Sequence, residues 1–171
     1  MGLGDLSQIS KPGVAARCEH GRMAAHTTNY TSTFIEVAED CPTDHAQEPP
    51  ATEVPTIGAL HYRMIAEHPF ERTSDDVIFS TWALRRGIDP DDGEARDEFF
   101  AKGQACLRAS PLGKRYGWGV LSDAEGRVSL VPRESAEYAL LAADPTLGHT
   151  RAMRAKRARP GSPCGLTSPL G

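Results

Sequence analysis

The sequence predicts a single α+β domain in which an antiparallel sheet of about five strands is covered by two main helices. Runs rich in β-branched and aromatic residues, typical of strands, follow one another late in the chain. Two segments with apolar residues at helical spacing lie apart from those runs, and no repeat of fixed period appears. Neighbouring strands with separate helices favour this class over an alternating α/β fold.

The domain is expected to span residues 29–158 of the 171. Residues 1–28 are polar and aperiodic, so we expect a disordered extension there. Residues 159–171 carry Pro or Gly at nearly every other step and are expected to form a disordered tail. The length between these ends suffices for one hydrophobic core.

The first elements are a strand, a loop and a helix. "STFIEVAED", residues 32–40, places apolar residues among polar neighbours and predicts a strand. The Pro-rich residues 41–55 predict a loop. From Thr56 the apolar positions recur at helical spacing, Pro55 suits a helix start and Pro69 ends the helix.

Next, "VIFSTWAL", residues 77–84, predicts a second strand that begins from a turn at "TSDD". An acidic loop then leads into a short helix near Phe99 and Phe100. "ACLR", residues 105–108, predicts a third strand, followed by a turn at "SPLG".

The last elements are a hairpin and a helix. "YGWGVLS" and "RVSLV" flank the turn-like "DAEG", which predicts two antiparallel strands. A helix follows through "SAEYALLAA", with Ser135 as its N-cap and Asp144-Pro145 as its end.

Composition excludes several classes of protein. Charged residues make up 25% and no apolar run approaches the roughly 20 residues that span a bilayer, so we expect no membrane insertion. No continuous apolar segment resembles an export signal, and a cytoplasmic location is expected. The four cysteines are far apart in sequence, which indicates neither a disulfide framework nor a zinc knuckle.

Four long blocks resemble one bacterial family. They are "NYTSTFIEVAEDCP", "MIAEHPFERTSDDVIF", "KGQACLRASPLGKRYGWG" and "SAEYALLAADP". Together they are similar to domain of unknown function 6157 over about residues 29–158. The resemblance implies no substrate, cofactor or catalytic residue.

The segment "CLRASPLGKRYGWGV", residues 106–120, is the strongest candidate for a binding site. A tight turn with exposed backbone N–H groups and neighbouring cations holds phosphate or carboxylate groups. Tyr116 and Trp118 are expected to share one strand face as an apolar wall, while Gly117 and Gly119 leave the other face bare. We therefore expect a small anionic ligand at Arg108, Ser110, Lys114, Arg115, Tyr116 and Trp118. The alternative is that these residues are purely structural.

Cys106 is the one catalytic candidate. Cations lower the pKa of a thiol and make it nucleophilic, and on a strand Cys106 and Arg108 share a face. The histidine base that such an enzyme needs is His61 or His68, if the fold brings one near. The alternative is a small buried strand residue.

Metal and nucleic-acid sites are the remaining hypotheses. His61 and His68 lack the close spacing of zinc ligands, and the favoured alternative is a helix face turned toward the sheet with its imidazoles hydrogen-bonded, so no metal and no cofactor are predicted. Residues 101–171 carry 11 Lys plus Arg against 5 Asp plus Glu, and the cluster at residues 151–159 is an alternative site for nucleic acid or an acidic partner.

Overall fold

The computed structural model describes residues 26–155. Their elements, in chain order, are β1 (Thr33–Glu36), α1 (Ile57–Ala66), α2 (Ser74–Leu84), α3 (Gly93–Phe100), a 3₁₀ turn (Leu107–Ala109), α4 (Pro111–Arg115), β2 (Trp118–Ser122), β3 (Val128–Pro132), α5 (Ala136–Ala142) and β4 (Gly148–Arg151). The α+β class is confirmed. Most of the predicted extension and the whole predicted tail lie outside the described residues. Residues 26–28 were assigned to the extension, but Thr27 and Thr28 bond Asp75 of α2 and belong to the fold.

The sheet differs from the prediction in strand number and orientation. It has four strands in the order β3-β2-β1-β4. β1 runs antiparallel to β2, with Phe34 opposite Leu121, and parallel to β4, with Phe34 opposite His149. The predicted antiparallel sheet of about five strands is therefore wrong, because one pair is parallel and two of the predicted strands are not strands.

β1 is one of the two inner strands, and both of its faces contribute buried side chains. Ile35 packs with Leu112 and Val77 in the main core, on the side of the sheet covered by α1, α2 and α4. Phe34 packs on the opposite side, where its ring meets Tyr138 of α5 edge-on at 5.0 Å. The sheet is thus covered on both faces, by more than the two main helices that the sequence predicted.

Residues 77–84 form most of helix α2 rather than a strand. Thr73 accepts a bond from the backbone N–H of Asp76, and the Asp76 carboxylate accepts one from the backbone N–H of Thr73. This reciprocal capping satisfies two N–H groups that have no partner within the helix. The strand-like composition of α2 reflects burial on two sides, since Val77 joins the main core while Phe79 packs with Phe99 and Phe100.

The predicted strand at residues 105–108 and the turn after it are also wrong. Cys106 precedes the 3₁₀ turn, and Ser110 is the N-cap of α4 with Pro111 in the first helical turn. Proline favours a helix start because its fixed φ suits the first position and its missing N–H is not needed there. Cys106 and Arg108 therefore do not share a strand face.

The other predicted elements are confirmed, and one strand was missed. The structure contains β1, α1 with Thr56 as its N-cap, α3, the β2–β3 hairpin, and α5 capped by Ser135. β4 was not predicted because its short sequence, "GHTR", is largely exposed and carries no apolar alternation. Within residues 26–155, no helix is both long enough and apolar enough to cross a bilayer. The cytoplasmic location stays a prediction.

The glycines expected to leave a strand face bare are covered by the protein itself. A Cβ on Gly119 would lie 2.8 Å from the Phe34 ring and 2.9 Å from the Tyr138 ring. Gly117 has a φ of +72°, and a Cβ there would lie 2.6 Å from the backbone oxygen of His45. Both glycines thus permit close packing within the fold.

Gly117 and Gly87 form a matched pair for testing this packing. Gly87 also has a positive φ, +68°, but no atom lies within 4 Å of a Cβ built there. We expect Gly87→Ala to lower the free energy of unfolding by about 1 kcal/mol through backbone strain alone. Gly117→Ala should cost a further 1–3 kcal/mol, roughly, because its methyl group meets backbone that cannot rotate away. Urea unfolding measures both, and equal losses would contradict the packing argument.

Candidate functional site

Two adjoining cavities lie around the segment 106–116. The inner cavity has a volume of about 360 Å³ and opens to solvent. Its walls come from α1, α2, α3 and the segment that carries the 3₁₀ turn. Half of the fourteen lining residues are apolar: Ile57, Ile78, Trp82, Phe99, Ala105, Ala109 and Pro111. The volume is in the range of pockets that hold small molecules.

The outer cavity has a volume of about 440 Å³ and lies between the first turn of α1 and helix α4. Three cationic side chains line it, Arg85, Lys114 and Arg115, together with the ring of Tyr116. Four residues line both cavities: Ile57, Arg85, Ala109 and Pro111. No Asp or Glu is among the residues that line either cavity.

A buried hydrogen bond links α1 to the start of α4 in the wall of the inner cavity. The Nδ1 atom of His61 lies 2.9 Å from the Oγ atom of Ser110, and both side chains are buried. Burial lowers the pKa of His61 to about 4, because a charged imidazole is poorly solvated there. His61 is therefore neutral at pH 7.

The hydrogen-bond partners of Ser110 assign the tautomer of His61. The Ser110 Oγ atom accepts the backbone N–H of Leu112 at 3.3 Å. Its own hydrogen has no acceptor among the described residues other than His61 Nδ1. A buried hydroxyl that did not donate would lose a hydrogen bond. Ser110 thus donates to Nδ1, and the Nε2 atom of His61 carries the ring hydrogen.

Cys106 lies between the inner cavity and a smaller polar cavity lined by residues 26–30. Its Sγ atom is 3.6 Å from the hydroxyl of Tyr30. Burial and this contact raise the pKa of the Tyr30 phenol, while Arg108 acts in the opposite direction. The structure therefore brings Cys106 and Arg108 to the same tyrosine, although not through a shared strand.

The six predicted ligand-binding residues do not converge on one cavity. Lys114, Arg115 and Tyr116 line the outer cavity. Ser110 lines the inner cavity, where it is bonded to His61.

The other two predicted residues make contacts within the fold. The Nε atom of Arg108 donates to the backbone oxygen of Arg151 at 2.8 Å. Trp118 packs on Tyr62 with ring centroids 5.4 Å apart, and its indole N–H donates to the backbone oxygen of Gln47. The expected wall of Tyr116 and Trp118 is not a strand face, because Tyr116 ends α4 and β2 begins at Trp118.

The sequence did not predict Arg85 as a residue of the site, and it predicted His61 as a hydrogen-bonded residue of a helix face, with a catalytic base or a metal ligand as the alternatives. Arg85 follows α2 directly, and its position beside Lys114 depends on how α2 packs. Local sequence patterns carry no signal for such a contact. The only local hint was the pair of arginines that ends an apolar run.

The basic cluster at residues 151–159 is partly neutralised. Arg151 forms ion pairs with Glu36 at 3.4 Å and Glu39 at 3.0 Å, and Arg154 pairs with Glu39. Residues 156–159 lie outside the described residues. Among residues 26–155, no group of three or more His, Cys, Asp or Glu side chains is placed to hold a metal ion.

The fold and the site define the class of this protein: an α+β domain with a mixed four-stranded sheet and a cavity lined by cations. Residues 25–158 match the model of a family described as a family of unknown function (DUF6157). The match spans most of the chain, so the protein belongs to this family, as the sequence blocks predicted. No curated protein and no solved structure matches the chain.

The buried His61 predicts a specific pH dependence of stability. The unfolded chain takes up the imidazole proton near pH 6.5, whereas the folded protein does so only near pH 4. The stability that neutral His61 provides is therefore complete above pH 6.5 and is lost as the pH falls toward 4. Within that window the slope of the unfolding free energy should be about 1.4 kcal/mol per pH unit from this group alone.

The measurement is the difference between the wild-type and His61→Asn curves of unfolding free energy against pH. Asparagine keeps a polar atom near Ser110 but does not titrate, so the difference should narrow from pH 6.5 to 4. The control is His68→Asn, at a half-exposed histidine paired with Glu71. In this variant the unfolding free energy should keep the same slope against pH between pH 6.5 and 4 that His61 produces in the wild type. Parallel wild-type and His61→Asn curves would show that His61 is not buried as described.

Proposed function

We propose that the protein binds a small anion, a phosphate or carboxylate group, in the outer cavity. The observation that carries this proposal is the set of three cations, Arg85, Lys114 and Arg115, in one cavity without a carboxylate in its lining. An anion placed among them gains charge-assisted hydrogen bonds, which are roughly twice as strong as neutral ones. The binding residues differ in part from the predicted set, since Arg85 joins Lys114, Arg115 and Tyr116.

Four arginines elsewhere among the described residues have carboxylate partners. Arg96 pairs with Asp76 at 2.8 Å, and Arg127 pairs with Asp123 at 2.8 Å. The three cations of the outer cavity make no ion pair with any carboxylate among residues 26–155. They are therefore available to an anionic ligand.

The first turn of α1 adds backbone donors to the same cavity. Thr56 caps the N–H of Ala59, while Ile57 and Gly58, the first two helical residues, line the cavity. N–H groups at these positions have no acceptor within a helix, and the helix dipole favours negative charge there. The free backbone N–H groups of this turn therefore add to the attraction that the three cations exert on an anion.

Thermal-shift measurements with phosphate, nucleoside monophosphates, phosphorylated sugars and dicarboxylates at millimolar concentration test the proposal. A ligand present at 100 times its Kd stabilises the folded state by about 2.7 kcal/mol. Lys114→Gln and Arg115→Gln should each weaken binding by about tenfold, since each removes one charged donor. Lys102→Gln and Arg63→Gln, at exposed cations outside the outer cavity, are the matched controls. Equal effects of all four substitutions, or no stabilisation by any anion, would contradict the proposal.

A second candidate function is an enzyme with Cys106 as its nucleophile. It is favoured by the position of the thiol, which lines the inner cavity. This hypothesis predicts that iodoacetamide labels Cys106 faster in the folded protein than in the unfolded chain near pH 7, because only a folded site activates the thiol. Cys41, which is also partly buried, serves as the internal control. Labelling of Cys106 at or below its unfolded rate would rule out an activated thiol.

Nucleic-acid binding through residues 151–159 stays a prediction. The ion pairs of Arg151 and Arg154 with Glu36 and Glu39 reduce the charge that those two residues offer to a phosphate backbone. The structure therefore favours the small anion.

A further inference from the structure

We infer that the anion is amphipathic: its charged group occupies the outer cavity, and an apolar body with an oxygen acceptor occupies the inner cavity. This inference rests on the proposed function, because it assumes that the outer cavity holds the charged group. It adds the chemical class of the ligand, a medium-sized oxo or hydroxy acid.

The two cavities are placed to be filled by one molecule. Ile57, Arg85, Ala109 and Pro111 line both of them, and both open to solvent. A ligand whose charged group contacts Arg85 therefore has the inner cavity directly beside it. Small-molecule sites are typically largely apolar with a few placed polar groups. Together these two cavities have that composition.

The walls of the inner cavity favour an apolar body. Trp82 and Phe99 present aromatic rings whose centroids are 4.9 Å apart, and Ile57 and Ile78 add aliphatic surface. The guanidinium of Arg86 lies over the Trp82 ring, with its Cζ atom 4.8 Å from the centroid. Covering the exposed parts of these side chains removes apolar surface from water, which is worth about 0.8 kcal/mol, or roughly fourfold in affinity, per buried methylene.

His61 gives the inner cavity one directed hydrogen-bond donor. The side chain is only 6% exposed, and its Nδ1 atom is already bonded to Ser110. The Nε2–H group has no partner among the described residues. Since no buried side-chain nitrogen or oxygen atom among the described residues lacks a partner, this group is reached by solvent in the open cavity. It favours a ligand that supplies an acceptor, because filling the cavity with hydrocarbon alone would displace that solvent and leave the donor without any partner. A carbonyl or hydroxyl oxygen on the apolar body satisfies it.

The first experiment compares straight-chain carboxylates from acetate to octanoate in NMR titrations of the full chain. Affinity should rise by roughly fourfold for each methylene that enters the inner cavity, and should level off when the cavity is full. Hexanamide, which is uncharged, should bind at least tenfold more weakly than hexanoate, because it loses the cations of the outer cavity.

A pair of variants separates the inner cavity from the rest of the surface. Ala105 is an exposed loop residue that lines the inner cavity but not the outer one, so Ala105→Trp should abolish the gain with chain length while acetate and phosphate still bind. Ala101→Trp makes the same change at an exposed residue that lines neither cavity, and should leave the gain intact.

The outcomes separate this inference from the proposed function. Binding of acetate and phosphate without any gain from chain length overturns the inference alone. Binding of hexanamide as tight as that of hexanoate, or no binding of any carboxylate or phosphate, overturns both. An equal loss in the Ala101→Trp and Ala105→Trp variants also overturns the inference, since the gain would not then come from the inner cavity.

The second experiment tests the oxygen acceptor with hexanoate and 5-oxohexanoate. In a purely apolar cavity the oxo acid binds several-fold more weakly, because its carbonyl loses its hydrogen bonds to water. A bond from His61 should reverse that order. Weaker binding of the oxo acid by the wild type overturns the assignment of an acceptor, and so does an oxo preference that persists unchanged in His61→Asn.

Discussion

The hydrogen bond between His61 and Ser110 is the constraint on which the site depends. It ties α1 to the N-cap of α4, and residues next to that junction, Ala109 and Pro111, line both cavities. Removing one partner of a buried pair costs about 1–3 kcal/mol, because the other partner has no water to replace it. The bond also sets the chemistry of the inner cavity, since it occupies Nδ1 and leaves the Nε2–H group without a partner among the described residues. This one buried hydrogen bond thus positions part of the wall of the inner cavity and determines which ring nitrogen of His61 carries the hydrogen.

The fold could be predicted from sequence where capping and periodicity agreed, and not where they competed. α1 and α5 have helical spacing together with a Thr or Ser cap, and both were predicted. In α2 the β-branched and aromatic residues favoured a strand, and the "TSDD" at its start was interpreted as a turn, although the same residues form the capping box. Ser110-Pro111 was a helix start of the same kind. β4 had no local signal at all, and the strand it pairs with among residues 26–155 is the parallel β1, far away in sequence.

The candidate site was predictable only in its local part. Lys114, Arg115 and Tyr116 are adjacent in sequence and remain together in the outer cavity. Arg108 and Trp118 were grouped with them by proximity in the chain, but the first reaches the backbone of Arg151 and the second packs on Tyr62. Arg85 and His61 enter the site through the packing of α2 and α1 against the segment 106–116. Tertiary contacts of this kind leave no pattern in a single sequence. The positions of Arg85 and His61 beside the segment 106–116 could therefore be found only from the structure.

In the proposed function, the two cavities recognise different parts of one ligand. The chain carries 23 acidic and 19 basic residues, so carboxylates are not scarce, yet none lines the outer cavity. Grouped like charges raise the free energy of the folded state through mutual repulsion. An anion that binds among them relieves that repulsion in addition to forming its own contacts, which an isolated surface cation does not offer. The inner cavity is lined by a histidine that burial keeps neutral and by apolar side chains, besides Arg85 and Arg86, so we propose that a ligand group there is selected by shape and by hydrogen bonding as well as by charge. A molecule that satisfies both requirements has an acidic group at one end and a largely apolar body with a single oxygen at the other.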